Sequence, residues 1–149
     1  MAQLQPYCAI EGNDDGLPVV FVHGMGVDHR SLMMLDKAFD GNDSIRRIYL
    51  DLPGFGRTPA LPEHACGLPE MADWLQTAID GLVGKAAPFA MVGNSMGGAL
   101  VREVLAREPR RVAGMVLIAP VVDPQHAGRH VAEHVVAQPN PKLTHSLPQ

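Results

Sequence analysis

One short segment restricts the fold of this chain more than any other: Gly93-Asn94-Ser95-Met96-Gly97-Gly98, set between an apolar run and a stretch of helical period. Pro88-Phe89-Ala90-Met91-Val92 has the continuous apolar character of a short buried strand. From Ser95 to Glu108, the residues Met96, Ala99, Leu100, Val104 and Leu105 recur at helical spacing. The G-x-S-x-G pattern therefore falls on a strand-to-helix turn, where a serine is forced into a strained backbone conformation and its hydroxyl stands clear of the sheet's carboxyl edge. Only small neighbours tolerate such a turn, which accounts for Gly93 and Gly97. The helix N-terminus beside it offers free N–H groups and a dipole suited to an oxyanion. A serine tolerated in a tight turn, or capping a helix, is the plainer alternative for Ser95.

Two further segments repeat the arrangement of an apolar strand running into a glycine turn. Val19-Val20-Phe21-Val22 ends in His23-Gly24-Met25-Gly26, whose glycines let backbone N–H groups approach a ligand closely. Ile45-Arg46-Arg47-Ile48-Tyr49-Leu50 runs into Asp51-Leu52-Pro53-Gly54-Phe55-Gly56-Arg57-Thr58, a D-x-P-G-x-G-x-[ST] segment. Between the strands, two segments carry helical period. Residues 29–39 place Leu32, Leu35 and Phe39 on one face with Asp28 as a cap, and residues 69–83 open on Pro69 and carry Met71, Leu75, Ile79 and Leu82. With a short strand at 7–10 and a last one at 112–118, the alternation predicts a three-layer α/β/α fold around a mostly parallel sheet.

These three motifs, in this order and each at a strand's end, resemble the α/β-hydrolase family over about residues 17–122. The resemblance implies that Ser95 is a catalytic nucleophile and that the amides of Met25 and Met96 are oxyanion donors. His23 and Gly24 then shape the oxyanion loop, and His23 is not the base. The G-N-S-M-G-G string is also similar to members that hydrolyse carbon–carbon bonds, although Asn-Ser-Met-Gly occurs in esterase-like members too. Complete members are roughly twice as long, carrying two further strands, the catalytic acid, the catalytic histidine and often a lid. On that resemblance the 149 residues form a single domain, an incomplete core whose positions 123–149 are the start of a lid. The implied activity is hydrolysis of a small ester or related carbonyl compound, weak or absent in a chain of this length. A catalytically dead fragment with a binding or assembly role is the alternative.

Composition narrows the partners. With 46% apolar and 19% charged residues the chain reads as a soluble globular domain, and a net charge of -4 gives no footprint for nucleic acid or an anionic membrane. Arg46-Arg47 and Arg110-Arg111, the two basic pairs, read as solvated element ends. Cys8 and Cys66 fit no metal or redox spacing and read as reduced thiols. The N-terminus has no secretory pattern and no apolar run approaches spanning length, so the expectation is a cytoplasmic protein acting on a small molecule.

No cofactor and no metal are implied. Gly24 and Gly26 do not begin a dinucleotide loop, because Asp28-His29-Arg30 stands where G-x-G-x-x-G needs its last glycine. His126, His130 and His134 share one helical face and invite a metal or a base, but a solvated polar face is the plainer reading. His29, His64 and His145 belong to no local constellation. Asp123, after the last strand, is the acid candidate, against the simpler reading of a turn residue before Pro124. Strand 112–119 has the apolar run of a central strand, yet no later segment has strand character. Its outer edge is therefore expected to be open, to self-association or to a complementing C-terminal half.

Overall fold

The computed structural model describes residues 5–123. Five strands form one sheet in the order β1-β3-β2-β4-β5. They are β1 (Cys8–Gly12), β2 (Leu17–Val22), β3 (Ile45–Leu50), β4 (Phe89–Asn94) and β5 (Val112–Ile118). Only the edge strand β1 is antiparallel to its neighbour, with Cys8 opposite Leu50; β3, β2, β4 and β5 run parallel.

Parallel strands need crossovers, and the helices that make them cover both faces of the sheet. On one face Val20, Val22, Ile48, Leu50, Phe89 and Met91 pack against α2 (Leu68–Val83) and α3 (Met96–Arg107). On the other, Val19, Phe21, Tyr49 and Val92 pack under Leu32 of α1 (Arg30–Met33) and Phe39. The alternation of faces along Val19-Val20-Phe21-Val22 is why these strands read as unbroken apolar runs. Helix α2 starts with proline in its first turn and turns Ala72, Trp74, Leu75, Ala78 and Ile79 inward.

Two expectations are corrected. The helix expected over 29–39 breaks after Met33, and Asp36–Phe39 forms a 3-10 turn instead. Its register is set from outside, since the Asp36 carboxylate accepts hydrogen bonds from Arg47 Nε at 2.6 Å and from the Tyr49 hydroxyl at 2.8 Å, both on β3. Asp28 does not cap a long helix; its carboxylate accepts the Arg30 N–H at 3.0 Å in a local turn. Arg47 and Arg111 are not solvated strand and helix ends either. The Arg47 side chain is 8% exposed against Asp36, and Arg111 is 11% exposed, bonding Asp80 at 2.7 Å and the Gly84 carbonyl at 2.6 Å.

Among the described residues strand β5 stands at an edge, with Val116 56% and Leu117 36% exposed. No helix among the described residues is long and apolar enough to cross a membrane.

Candidate active site

Ser95 sits between β4 and α3 with φ 50° and ψ −114°, a left-handed conformation that costs a side-chain-bearing residue on the order of 1–3 kcal/mol. The glycines around it are there for space. A Cβ on Gly93 would stand 2.5 Å from a Val101 methyl and 2.7 Å from the Gly97 carbonyl oxygen. One on Gly97 would overlap the Val22 carbonyl oxygen and stand 2.5 Å from that of His23. One on Gly98 would stand 2.7 Å from Pro120 Cβ. The α3 N-terminus is thus pressed onto the end of β2 on one side and the segment after β5 on the other.

The His-Gly turn lies against this elbow. β2 pairs with β4 in parallel register, Val22 opposite Gly93, so both chains leave the sheet at one edge. A Cβ on Gly24 would approach Ser95 Cβ to 3.1 Å and Asn94 Oδ1 to 2.9 Å. Met25 follows with its side chain 72% exposed, while the Met96 side chain is buried. Neither the Met25 nor the Met96 N–H has a hydrogen-bond acceptor among the described residues, and the Ser95 hydroxyl makes no hydrogen bond among them. A hydroxyl and two free amides thus lie at the carboxyl end of one sheet.

His23 is wholly buried and serves the loop. The Leu52 N–H donates to its Nε2 at 3.0 Å, so the ring proton is on Nδ1, which donates to the Gly24 carbonyl at 2.7 Å. Burial lowers its pKa from the ordinary value, with the hydrogen bond to Gly24 opposing. With both nitrogens engaged, it has no lone pair to offer Ser95.

His29, which has no local constellation in the sequence, gains one in the fold. Its backbone N–H and its Nδ1–H both donate to Asp51 Oδ1 at 2.8 Å, while the Arg57 N–H donates to Oδ2 at 2.9 Å. The only sequence signal was that Asp51 ends a buried strand, where a carboxylate demands donors. Asp28, His29 and Asp51 bring possible ligand atoms within 4.8 Å of one another. Each already has partners, Asp28 being held by the Arg30 guanidinium, which depresses its pKa to about 2. Asp123 is exposed. His126, His130, His134 and His145 lie outside the described residues. A cavity of about 710 Å³ opens between α2 and α3, lined by Leu68, Ala72, Ala99, Glu103 and Arg107 among others; Ser95 does not line it.

The family model described as alpha/beta hydrolase fold matches residues 18–140. The chain belongs to the α/β-hydrolase fold family. Among curated relatives of this hydrolase-fold chain is the dihydrolipoyllysine-residue acetyltransferase component of the acetoin cleaving system of Pseudomonas putida, 34% identical over 108 residues. That match covers 72% of this chain and 28% of the relative. A pimeloyl-acyl-carrier-protein methyl ester esterase of Legionella pneumophila (strain Paris) is 31% identical, covering 73% of this chain and 40% of its own length. Among solved structures, an alpha/beta superfamily hydrolase from Oenococcus oeni PSU-1 superposes with a TM-score of 0.77 at 26% identity, over 93% of this chain and 51% of that one. The hydrolase-fold chain therefore spans about half or less of the length of these relatives.

Proposed function

We propose that this chain is a serine hydrolase of the esterase type. Ser95 Oγ attacks the carbonyl carbon of a small ester, the alcohol leaves, and water releases the acid from the acyl-enzyme. The Met25 and Met96 amides receive the oxyanion. What carries the reading is Ser95 itself, a strained, unbonded serine hydroxyl at a strand-to-helix junction, with Gly24 of the neighbouring loop against its Cβ. The esterase named among the relatives agrees with it. His23 does not supply the base, and no side chain among the described residues bonds the Ser95 hydroxyl, so activated esters are expected to turn over weakly, by about 10³ over water as in dismantled triads. We place the activity in the cytoplasm, in keeping with free thiols at Cys8 and Cys66.

Release of p-nitrophenol from its acetate, and labelling by a fluorophosphonate, test this in wild type and Ser95→Ala. A small rate and slow labelling, both abolished in the variant, are expected. Equal rates in the two proteins would remove Ser95 from the chemistry. Turnover near a typical enzyme's ~10 s⁻¹ would mean that a base is present after all.

A binding or assembly role is the second reading, favoured by the β5 edge. Val112-Ala113-Gly114-Met115-Val116-Leu117-Ile118 carries no charge and has no outer strand partner among the described residues, and a row of open N–H and C=O groups beside apolar side chains recruits other strands. Sedimentation velocity should show self-association that Val116→Lys abolishes. A wild type that stays monomeric at tens of micromolar, roughly where exposed edges aggregate, would count against it.

A further inference from the structure

The segment Gly24–Asp28, which carries the Met25 amide, has no strand or helix hydrogen bonds of its own. The segment that follows β3 holds it at both ends, and Asp28 is also bonded locally, its carbonyl accepting the Ser31 N–H at 3.0 Å. At the near end, the Leu52 N–H donates to His23 Nε2 at 3.0 Å. At the far end, the Asp51 carboxylate takes the His29 N–H and Nδ1–H at 2.8 Å and the Arg57 N–H at 2.9 Å.

The far pin is built for rigidity. The Asp51 side chain is fully buried, and a buried carboxylate bonded by three N–H groups has no alternative partner in water. Gly56, at φ 55°, lies so close that a Cβ there would overlap that carboxylate. Tyr7 closes the other side: its carbonyl accepts the Asp51 N–H at 3.0 Å, and its ring packs on His29 with centroids 5.1 Å apart. Arg57 in turn lies 4.7 Å over the Tyr7 ring.

We propose that His29 and Asp51 are positioning residues of the oxyanion loop, their contact fixing the far end of Gly24–Asp28 so that the Met25 N–H is presented to Ser95. This rests on the esterase reading above. Loss of one of a loop's ties widens the backbone states it samples, and a donor held an ångström out of place loses most of its effect on an oxyanion. The imidazole does not touch the reacting atoms in this role. Its Nδ1–H acts on the loop, through Asp51.

Asp51→Asn is the obvious variant, but it sets an amide N–H against the Arg57 N–H and risks the fold. His29→Leu and His29→Asn separate the roles, because the asparagine Nδ2 stands the same number of bonds from Cα as the histidine Nδ1 and keeps a donor for Asp51. The first readout is fluorophosphonate labelling of Ser95, resolved into its maximal rate and the inhibitor concentration for half that rate. The second is backbone amide exchange at Met25–Val27. His29→Leu should lower the maximal rate about tenfold with the half-saturating concentration unchanged, and should speed exchange in the loop. His29→Asn should recover most of both. Labelling of His29→Leu at the wild-type rate, or equal losses in Leu and Asn, would overturn the proposal. Should even the wild-type serine fail to label, the esterase reading falls, and loop exchange still decides: unchanged exchange in His29→Leu would remove the pin as well.

Discussion

Alanine at Gly97 and alanine at Gly81 are the same chemical change in two helices, and the structure requires opposite effects. At Gly97, in the first turn of α3, the added methyl meets the Val22 and His23 carbonyl oxygens, the latter at 2.5 Å, and the Val22 carbonyl carbon at 2.7 Å. These are backbone atoms at the end of β2, which is hydrogen-bonded to β3 on one side and β4 on the other, so they cannot yield like a side-chain tip. The α3 N-terminus must move instead, carrying Ser95 with it. Overpacking of this kind costs about 1–3 kcal/mol, and contact with backbone puts it at the upper end. Alanine's helix propensity returns less than ~1 kcal/mol at this position.

At Gly81, in the last turn of α2, a Cβ meets nothing within 4 Å, so only a propensity gain remains, reduced near the helix end to about 0.5 kcal/mol. For a chain of this size, 1 kcal/mol moves the melting temperature by about 2–4 °C. Gly97→Ala should therefore melt roughly 5–8 °C below wild type and Gly81→Ala about 1–2 °C above it. Circular dichroism melts, with refolding checked on cooling, measure both. If Gly97→Ala melts within about 1 °C of wild type, a small fraction of the shift expected, α3 is not seated on β2 as described.

Ser95→Gly should stabilise the chain by about 1 kcal/mol, because glycine meets φ 50° without strain and returns only part of the gain as chain entropy; Ser95→Ala should not. Equal denaturant midpoints for the two variants would argue that Ser95 is unstrained. The His23 pKa is lowered by burial, so the unfolded chain takes up a proton near pH ~6.5 that the native chain refuses. Its contribution is constant above that pH, and stability falls as pH drops below about 6.5, more steeply in wild type than in His23→Gln. Hydrogen bonds from Arg47 and then Tyr49 hold the Asp36 carboxyl below the ordinary range, so its stabilisation is complete above pH ~4 and is lost in more acid solution. Asp36→Asn should cost about 2–3 kcal/mol at neutral pH, by leaving the Arg47 charge buried without its partner, and should flatten the acid limb of a urea midpoint series.

What could be read from the sequence is what is fixed locally. The strands at 19–22 and 89–92 were legible because a parallel strand buried on both faces leaves an uninterrupted apolar run. The elbow was legible from its strand-to-helix setting and Gly93, whose clash is with Val101 and Gly97 close by in the chain, whereas Gly97 and Gly98 answer Val22, His23 and Pro120 on other segments. Helical spacing over 29–39 misled for the opposite reason. Leu32, Leu35 and Phe39 do recur at that period, but Asp36 is drawn toward Arg47 and Tyr49, and no periodicity reports a partner on another element. For the same reason Arg47 looked like a charge on a strand end. His29 and Asp51 stand 22 positions apart, a spacing that carries no rule, and only the crossing of two loops joins them.

The strain at Ser95 shows why the site is a property of the whole sheet and not of its motif. A residue held out of the common backbone regions relaxes unless its surroundings over-determine it. Here the Ser95 N–H donates to the Ile118 carbonyl at 3.0 Å, and its own carbonyl accepts the Gly98 and Val121 N–H groups, each at 3.0 Å. Ile118 ends β5, and Val121 lies just past a second strained residue, Ala119 at φ 42°. Meanwhile Gly24 and the end of β2 close the other flank. The serine is thus clamped by three segments spread from Val22 to Val121, and each clamp needs the parallel register of β2, β4 and β5. A peptide bearing Gly93–Gly98 alone would hold none of them and would let Ser95 fall back to an ordinary conformation. Any reactivity of this hydroxyl therefore depends on the cooperative fold: loosening β5 would relax the serine even though β5 contributes no side chain to the chemistry.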